Sequence, residues 1–430
     1  MRVFNVSDLS EDGLNDILKR PLIDSDKIFA DVKNILDDVK VNGLKAAQKY
    51  ASRFDGFEKE SIKISEQEFE IAEQRLAQKV KNAILFSKEN IEKFHSIQVP
   101  NNYSIETQAG VNCSREFRAI ENVGLYIPGG TAILPSTVLM LGIPAKLAGC
   151  KRIVAFSPSK NGEISDAVLF AAKVCGIDEF YKLGGAQAVA LFGYGSKEVK
   201  KVDKIFGPGN QYVTAAKSLI SIDPEGCAID MPAGPSEVLV IADQNANPDF
   251  IASDLLSQAE HGIDSQVLLF SDSKSLIKSV SKKLIEQLEK LPRREIAEKA
   301  LNNSFALKVS SIDEAIDLSN KYAPEHLILN FNDAESALKK ITNAGSVFVG
   351  SFTPESAGDY SSGTNHSLPT NGYTKVFGGV SVESFMKQIT FQQISKEGLL
   401  NLADSIITLA EEEGLDGHAN AVRIRLENGY

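Results

Sequence analysis

At 430 residues the chain is long for one core, and roughly two to four domains of ordinary size are expected. Hydrophobic residues make up 43% and charged residues 24%, a globular balance, and the net charge of −11 repels phosphate backbones, which argues against nucleic acid as a partner. No run reaches the ~18 consecutive apolar residues of a membrane span. The opening "MRVFNVSDLSEDGLND" carries acids where a signal peptide needs basic and apolar residues. Four cysteines (Cys113, Cys150, Cys175 and Cys227) show no CxxC pairing, so reduced thiols in a cytoplasm are expected.

The first ~100 residues read as helices. "SEQE" at 65–68 has the form of a capping box, and Phe69, Ala72, Leu76, Val80 and Ala83 follow at helical spacing. From about Ile120 short apolar strands alternate with helical segments. The strand candidates are "VGLYI", "RIVAF", "EFYKLG", "KIFG", "EVLVIA", "QVLLF" and "LILNF". That alternation predicts βαβ units and a mainly parallel sheet, with a second α/β layer after residue 266. Residues 351–379 are rich in Ser, Thr, Gly and Asn and show no period; a stretch of this kind with few charges points to function. The last ~50 residues return to helix, broken at "EEEGLDGHAN".

Four strand-to-helix turns are glycine-rich: "YIPGGT", "LGGAQ", "FGPGNQ" and "MPAGPS". Such turns bring free N–H groups close to an anionic ligand, or simply close a tight bend. The chain has neither G-x-G-x-x-G nor a Walker A loop, so a nucleotide site is compatible with these turns without being specified by them.

In "NPDFIASDLLSQAEHG" Asn247 suits a helix cap, Pro248 the first helical position and Gly262 the end. Gln258 and His261 stand at i and i+3, on one face. They could hold a metal or form a hydrogen-bonded polar edge. Only five histidines occur. His95 lies in an amphipathic segment and reads as structural, whereas His261, His326, His366 and His418 fall beside polar or glycine-rich stretches. Imidazole, carboxylate and amide donors without thiolate suit zinc, manganese or cobalt. Cys150 sits at a helix end before a strand and reads as a small hydrophobe rather than a nucleophile. The adjacent Glu325 and His326 of "KYAPEHLIL" read either as a hydrogen-bonded turn or as a pair of bases.

Several motifs are long and unusual: "GLYIPGGTAILPSTVLMLGIPAKLAGC", "FGPGNQYV", "DMPAGPSEVL", "DLLSQAEHGIDSQ", "YAPEHL", "GDYSSGTNH" and "EGLDGHANAV". In these the chain resembles the histidinol dehydrogenase family over nearly its whole length. The resemblance implies an α/β fold of two incomplete Rossmann-like parallel-sheet domains with small helical C-terminal segments, in an intertwined homodimer. Residues 1–118 and 237–379 would form one α/β domain carrying the metal and catalytic motifs. Residues 119–236 would form the NAD-binding domain, and 380–430 would reach the partner subunit.

The resemblance further implies NAD-dependent oxidation of L-histidinol to L-histidine through an aldehyde, with one Zn2+ per subunit. Gln258, His261, Asp359 and His418 would be the metal ligands, His418 coming from the partner subunit. Tyr126, Gln187 and Asn210 would contact NAD. Ser236, His326 and Glu413 would contact substrate beside the metal ligands, with His366 near its imidazole end. His326 would be the base for the hydroxyl proton and Glu325 the base for the water that adds to the aldehyde. Two rivals from other classes are a metal-dependent hydrolase needing no NAD and a non-catalytic binding protein. A third is a paralogue acting on another chelating alcohol.

Overall fold

The computed structural model describes residues 1–20, 25–57, 61–129, 133–232 and 234–427. Gly130 and Thr131 of the first glycine-rich turn and Ala233 of the fourth lie outside them. The chain opens with β1 (Arg2–Asn5) and α1 (Glu11–Ile17), followed by α2 (Ser25–Asp55), α3 (Glu66–Arg75) and α4 (Gln78–Ser96). Ser65 caps α3 with Glu68 reaching back, the capping box expected from "SEQE". β2 (Tyr103–Gln108) and β3 (Val111–Ala119) then form an antiparallel pair.

The first alternation runs β4 (Asn122–Tyr126), α5 (Pro135–Ala148), β5 (Arg152–Phe156), α6 (Asp166–Val174), β6 (Glu179–Tyr181), α7 (Gly185–Tyr194), β7 (Lys204–Phe206), α8 (Gln211–Ile222) and β8 (Ala228–Ile229). The second runs β9 (Glu237–Ala242), α9 (Pro248–Ala259), β10 (Gln266–Ser271), α10 (Lys274–Leu288), α11 (Arg294–Asn302), β11 (Phe305–Lys308), α12 (Ile312–Tyr322), β12 (His326–Asn330) and β13 (Ser346–Val349). A short α13 (Glu355–Tyr360), β14 (Met386–Ile394), α14 (Lys396–Glu412) and α15 (Asp416–Glu427) complete the chain.

Two parallel sheets result. One has the order β6-β5-β4-β7-β8 and the other β1-β11-β10-β9-β12-β13. Without edge strand β1, both follow the 3-2-1-4-5 order of a Rossmann sheet that lacks its sixth strand. This is the expected pair of incomplete Rossmann-like units. Side chains alternate across each sheet. In the first, Val123, Leu125, Ile153 and Ala155 face α3–α6, while Tyr126, Val154 and Phe156 face α2, α7 and α8. In the second, Val238 and Val240 face α9–α11, while Leu239 and Ile241 face α12 and the end of α1.

Two features differ from the sequence-based expectation. Residues 1–118 were expected with the catalytic unit, yet α2–α4 cover the five-stranded sheet. Val32, Leu36, Val39 and Ala47 of α2 make a buried stripe that fits α7 and α8, and Phe69, Ile84 and Ile91 enter the opposite face. The C-terminal segment is also not all helix, because β14 pairs antiparallel with β3 along nine residues. Its Ile389 and Phe391 alternate with polar residues, a period-2 pattern. Among the described residues, no helix is long and apolar enough to cross a membrane.

Candidate active site

The amino-terminal edge of the six-stranded sheet gathers the chemistry. In a parallel α/β unit this edge receives the carboxyl ends of the connecting helices, whose dipoles favour positive charge. Helix α9 delivers Gln258 and His261 there. Asn247 caps its start by accepting from the Asp249 N–H at 2.9 Å, and Pro248 takes the first helical position, as the sequence suggests.

Strands β9 and β12 pair with Val238 opposite His326, so Glu237 lies beside Glu325. The Glu237 N–H donates to Oε2 of Glu325 at 2.8 Å. The Glu237 carbonyl accepts from Nδ1 of His326 at 3.1 Å. Since a carbonyl can only accept, the proton sits on Nδ1 and Nε2 keeps its lone pair. Among the described residues that buried Nε2 has no hydrogen-bond partner, and Oδ1 of Asp359 lies 3.9 Å from it. Burial pushes the His326 pKa down to about 4, with the Asp359 charge opposing, so the ring is neutral. Burial also raises Glu325 well above the ordinary carboxylate range, against the Glu237 N–H bond. The neighbouring strand comes so close that a Cβ at Gly345 would stand 2.6 Å from the Glu325 carbonyl, which makes glycine necessary there.

Helix α13, inside the stretch that shows no period, contributes Glu355 and Asp359. Their i, i+4 spacing puts both carboxylates on one face. Ligand atoms of His261, Glu355 and Asp359 all lie within 4.8 Å of one another. The fully buried Gln258 amide, with its nitrogen toward Glu355, donates to Oε2 at 3.0 Å. Burial raises Glu355 well above its usual range, and the charges of Asp359, Glu325 and Asp254 add to this. Asp254, one turn before Gln258, is pushed up to about 7 by burial. Among the described residues the ion pairs of Glu355 and Asp359 are with histidines alone. Buried carboxylates facing imidazoles and no ammonium or guanidinium partner fit a divalent cation, and nitrogen and oxygen donors of this kind suit zinc.

His366 lies at the same site. Its Nδ1 donates to the Asp359 carbonyl at 2.9 Å, and Nε2 accepts from the Thr137 hydroxyl at 3.1 Å, tying this loop to α5. Ser236 is half-buried immediately before Glu237, and its carbonyl accepts the Gln266 N–H. Glu413 and His418 of the same chain are exposed around the α14–α15 turn, and His418 is outside the His261–Glu355–Asp359 group. Glu355 escaped the sequence reading. The signal was present: a proline before Glu355, and a carboxylate four residues on.

The other expected residues lie at the carboxyl edge of the five-stranded sheet. There β4 is flanked by β5 and β7, the point where strand order reverses. Tyr126 ends β4 with its ring buried against Phe156, and its hydroxyl accepts the Gly185 N–H at 3.2 Å. Gln187, buried in the first turn of α7, donates to Asp55 at 3.4 Å. Asn210 is exposed and caps α8, accepting from the N–H groups of Tyr212 and Val213. Gly207, with φ 115°, passes so close to Tyr126 that a Cβ would stand 2.2 Å from its carbonyl. Cys150, Cys175 and Cys227 are buried with thiols pushed up to about 12, the inert state expected of a hydrophobe.

Comparison with known proteins agrees along the whole chain. A family model described as histidinol dehydrogenase matches residues 18–426. The chain belongs to the histidinol dehydrogenase family. It is 51% identical over 430 residues to the histidinol dehydrogenase of Colwellia psychrerythraea, covering 100% of this chain and 99% of that one. Against the Bacteroides fragilis protein of the same name identity is 51% over 414 residues, 96% of each chain. The crystal structure of histidinol dehydrogenase from Elizabethkingia anophelis superposes with a TM-score of 0.95 at 47% identity, covering 100% of this chain and 98% of that one. The matched span takes in both sheets, the carboxylate–histidine cluster and the C-terminal helices.

Proposed function

We propose that the chain oxidises L-histidinol to L-histidine through L-histidinaldehyde, delivering two hydrides to NAD. The observation that carries this reading is His326 Nε2, a buried lone pair without a partner, beside the cluster of His261, Glu355 and Asp359. Dehydrogenation of an alcohol needs a base at the hydroxyl as the carbonyl forms, and a neutral imidazole with its tautomer fixed supplies one. Gln258, His261 and Asp359, with His418 of the partner subunit, would hold one Zn2+. Bound there, the metal would orient substrate through its amine and imidazole nitrogens, and NAD would accept the hydrides.

His326 takes the hydroxyl proton in the first oxidation. Glu325 then takes a proton from the water that adds to the aldehyde. His326 acts again when the resulting diol loses its second hydride. Burial that raises Glu325 strengthens it as a base, and positive charge taken up by the site opposes that rise. Tyr126, Gln187 and Asn210 would line the NAD site at the reversal point of the five-stranded sheet. Ser236 and Glu413 would contact substrate.

An intertwined homodimer is part of this reading. Ile389, Phe391 and Ile394 of β14, Leu400 and Leu409 of α14 and Ile424 of α15 are each at least 39% exposed in one chain, apolar side chains that a second subunit would cover. A partner covering it would also bring Glu413 and His418 to the opposite site. A division into three units is part of this reading, with α2–α4 beside the five-stranded sheet and the β2–β3 hairpin beside β14. A cytoplasmic setting fits four free cysteines. The test is NADH counted against histidine with the purified, zinc-loaded protein. Two NADH per histidine are expected. No NADH from histidinol, with cleavage of an ester or amide in the absence of NAD, would replace this reading by the hydrolase.

A further inference from the structure

Both bases of the proposed reaction bond the backbone of one residue, Glu237, through its N–H and its carbonyl, and the side chain of Glu237 is itself held from another part of the chain. Arg20, just after α1, bonds the Glu237 carboxylate through Nε and through Nη2, the latter 2.8 Å from Oε2. The Asn371 N–H donates to the same carboxylate at 3.1 Å. Nη2 of Arg20 also donates to the carbonyls of Tyr322 and Ala323, each at 3.1 Å. These carbonyls belong to the end of α12, where Ala323 turns left-handed at φ 58° and Pro324 has no N–H to offer. The guanidinium stacks 3.9 Å above the Tyr322 ring, whose hydroxyl donates to Gln266 at 2.6 Å. One planar fork therefore fixes the start of β9 and the turn that leads into Glu325 and His326.

We propose that Arg20 and Glu237 are positioning residues for Glu325 and His326, holding the strand start and the helix end in the register that aims both bases. A purely stabilising role explains the arrangement less well. Buried ion pairs contribute little net stability compared with apolar replacements, whereas a planar fork gives directional control that a lysine cannot. The inference rests on the reading of Glu325 and His326 given above.

The test uses the full-length, zinc-loaded protein. Arg20→Ala and Glu237→Gln should lower kcat ~10- to 100-fold, the cost of displacing a catalytic group by about 1 Å, while KM changes by less than about threefold. Bound zinc should be unchanged, and free guanidinium should restore part of the Arg20→Ala rate. Acting through Glu325, Arg20→Ala should cost at least ~3-fold less in aldehyde oxidation when Glu325 is already alanine. A folded Arg20→Ala with wild-type kcat, or with the same penalty in the Glu325→Ala background, overturns the proposal. If Arg20→Ala does not fold, Arg20→Lys is read by the same two measurements. Failure of the underlying reading looks different: Glu325→Ala and His326→Ala would then keep full activity whatever Arg20 does.

Discussion

The side-chain amide of Asn365 donates to the carbonyl of Met140 at 2.6 Å, inside α5. This is the carbonyl that an N–H at position 144 would satisfy in an uninterrupted helix, and position 144 is proline. The amide that repairs the helix belongs to the same loop as Asp359 and His366, so the repair also fixes the loop against α5. Asn365→Ala should cost about 1–3 kcal/mol of stability by leaving a buried carbonyl unpaired. Adding Pro144→Ala should recover about 1 kcal/mol of that, because the new N–H takes over the Met140 carbonyl. Denaturant titration of the single and double variants reads the difference; purely additive losses would contradict the account.

The second amide hydrogen of Asn365 meets Nε2 of His95 at 3.3 Å, while Nδ1 of His95 donates to the Ile91 carbonyl at 2.9 Å. His95 is fully buried, and burial lowers its pKa from 6.5, with the Ile91 carbonyl opposing. Protonating it would set two donors face to face. The folded pKa lies below the unfolded one, so the unfolded chain binds the extra proton first. Its contribution to stability is therefore full above pH 6.5 and lost as pH falls through the lowered pKa. His95→Gln, which cannot take that proton, should flatten the fall in stability as pH drops below 6.5. An unchanged slope would place the acid sensitivity elsewhere.

The sequence shows β4, β5, β7, β9, β10 and β12 because each is a compact apolar run between turns. Strands β1, β11 and β13 are four residues each, too short for a period to declare itself, and they are strands because a neighbour pairs with them. Gln258 and His261 could be placed on one face from spacing alone. That Glu325 and His326 both bond the backbone of Glu237 could not, since 88 residues separate Glu237 from Glu325. The glycine-rich turns drew attention to the carboxyl edges of strands. The carboxylate–histidine cluster sits at an amino edge instead, where helix ends and strand starts meet.

Glu355 gives a direct test of the metal site. Glu355→Gln keeps the side chain's shape and a hydrogen-bond acceptor for Gln258, but removes the carboxyl group that a cation would ionise within 4.8 Å of His261 and Asp359. Zinc affinity should fall ~10- to 100-fold, read by competition with a chromophoric chelator, with the far-ultraviolet spectrum unchanged. Unaltered affinity would make Glu355 a packing residue only.

Glu325 and His326 can be separated by following each oxidation alone. His326→Ala should abolish both, since the same Nε2 serves the alcohol and the diol. Glu325→Ala should spare exchange between histidinol and the aldehyde and slow aldehyde oxidation ~10^2- to 10^4-fold, the usual worth of a general base. Equal losses in the two steps would remove the water-activating role from Glu325.

The shared site is tested by mixing inactive subunits. His418→Ala leaves His261 intact, and His261→Ala leaves His418 intact. In a dimer formed from one of each, one site combines His261 of the first chain with His418 of the second and is complete. The other site lacks both. Random reassortment of equal amounts makes about half of the dimers mixed, each with one working site of two, so activity should return to about a quarter of wild type. If each site were built from a single chain, no mixture would recover. Native mass spectrometry of the exchanged sample would show whether mixed dimers had formed, so that a lack of recovery counts against the shared site and not against the exchange.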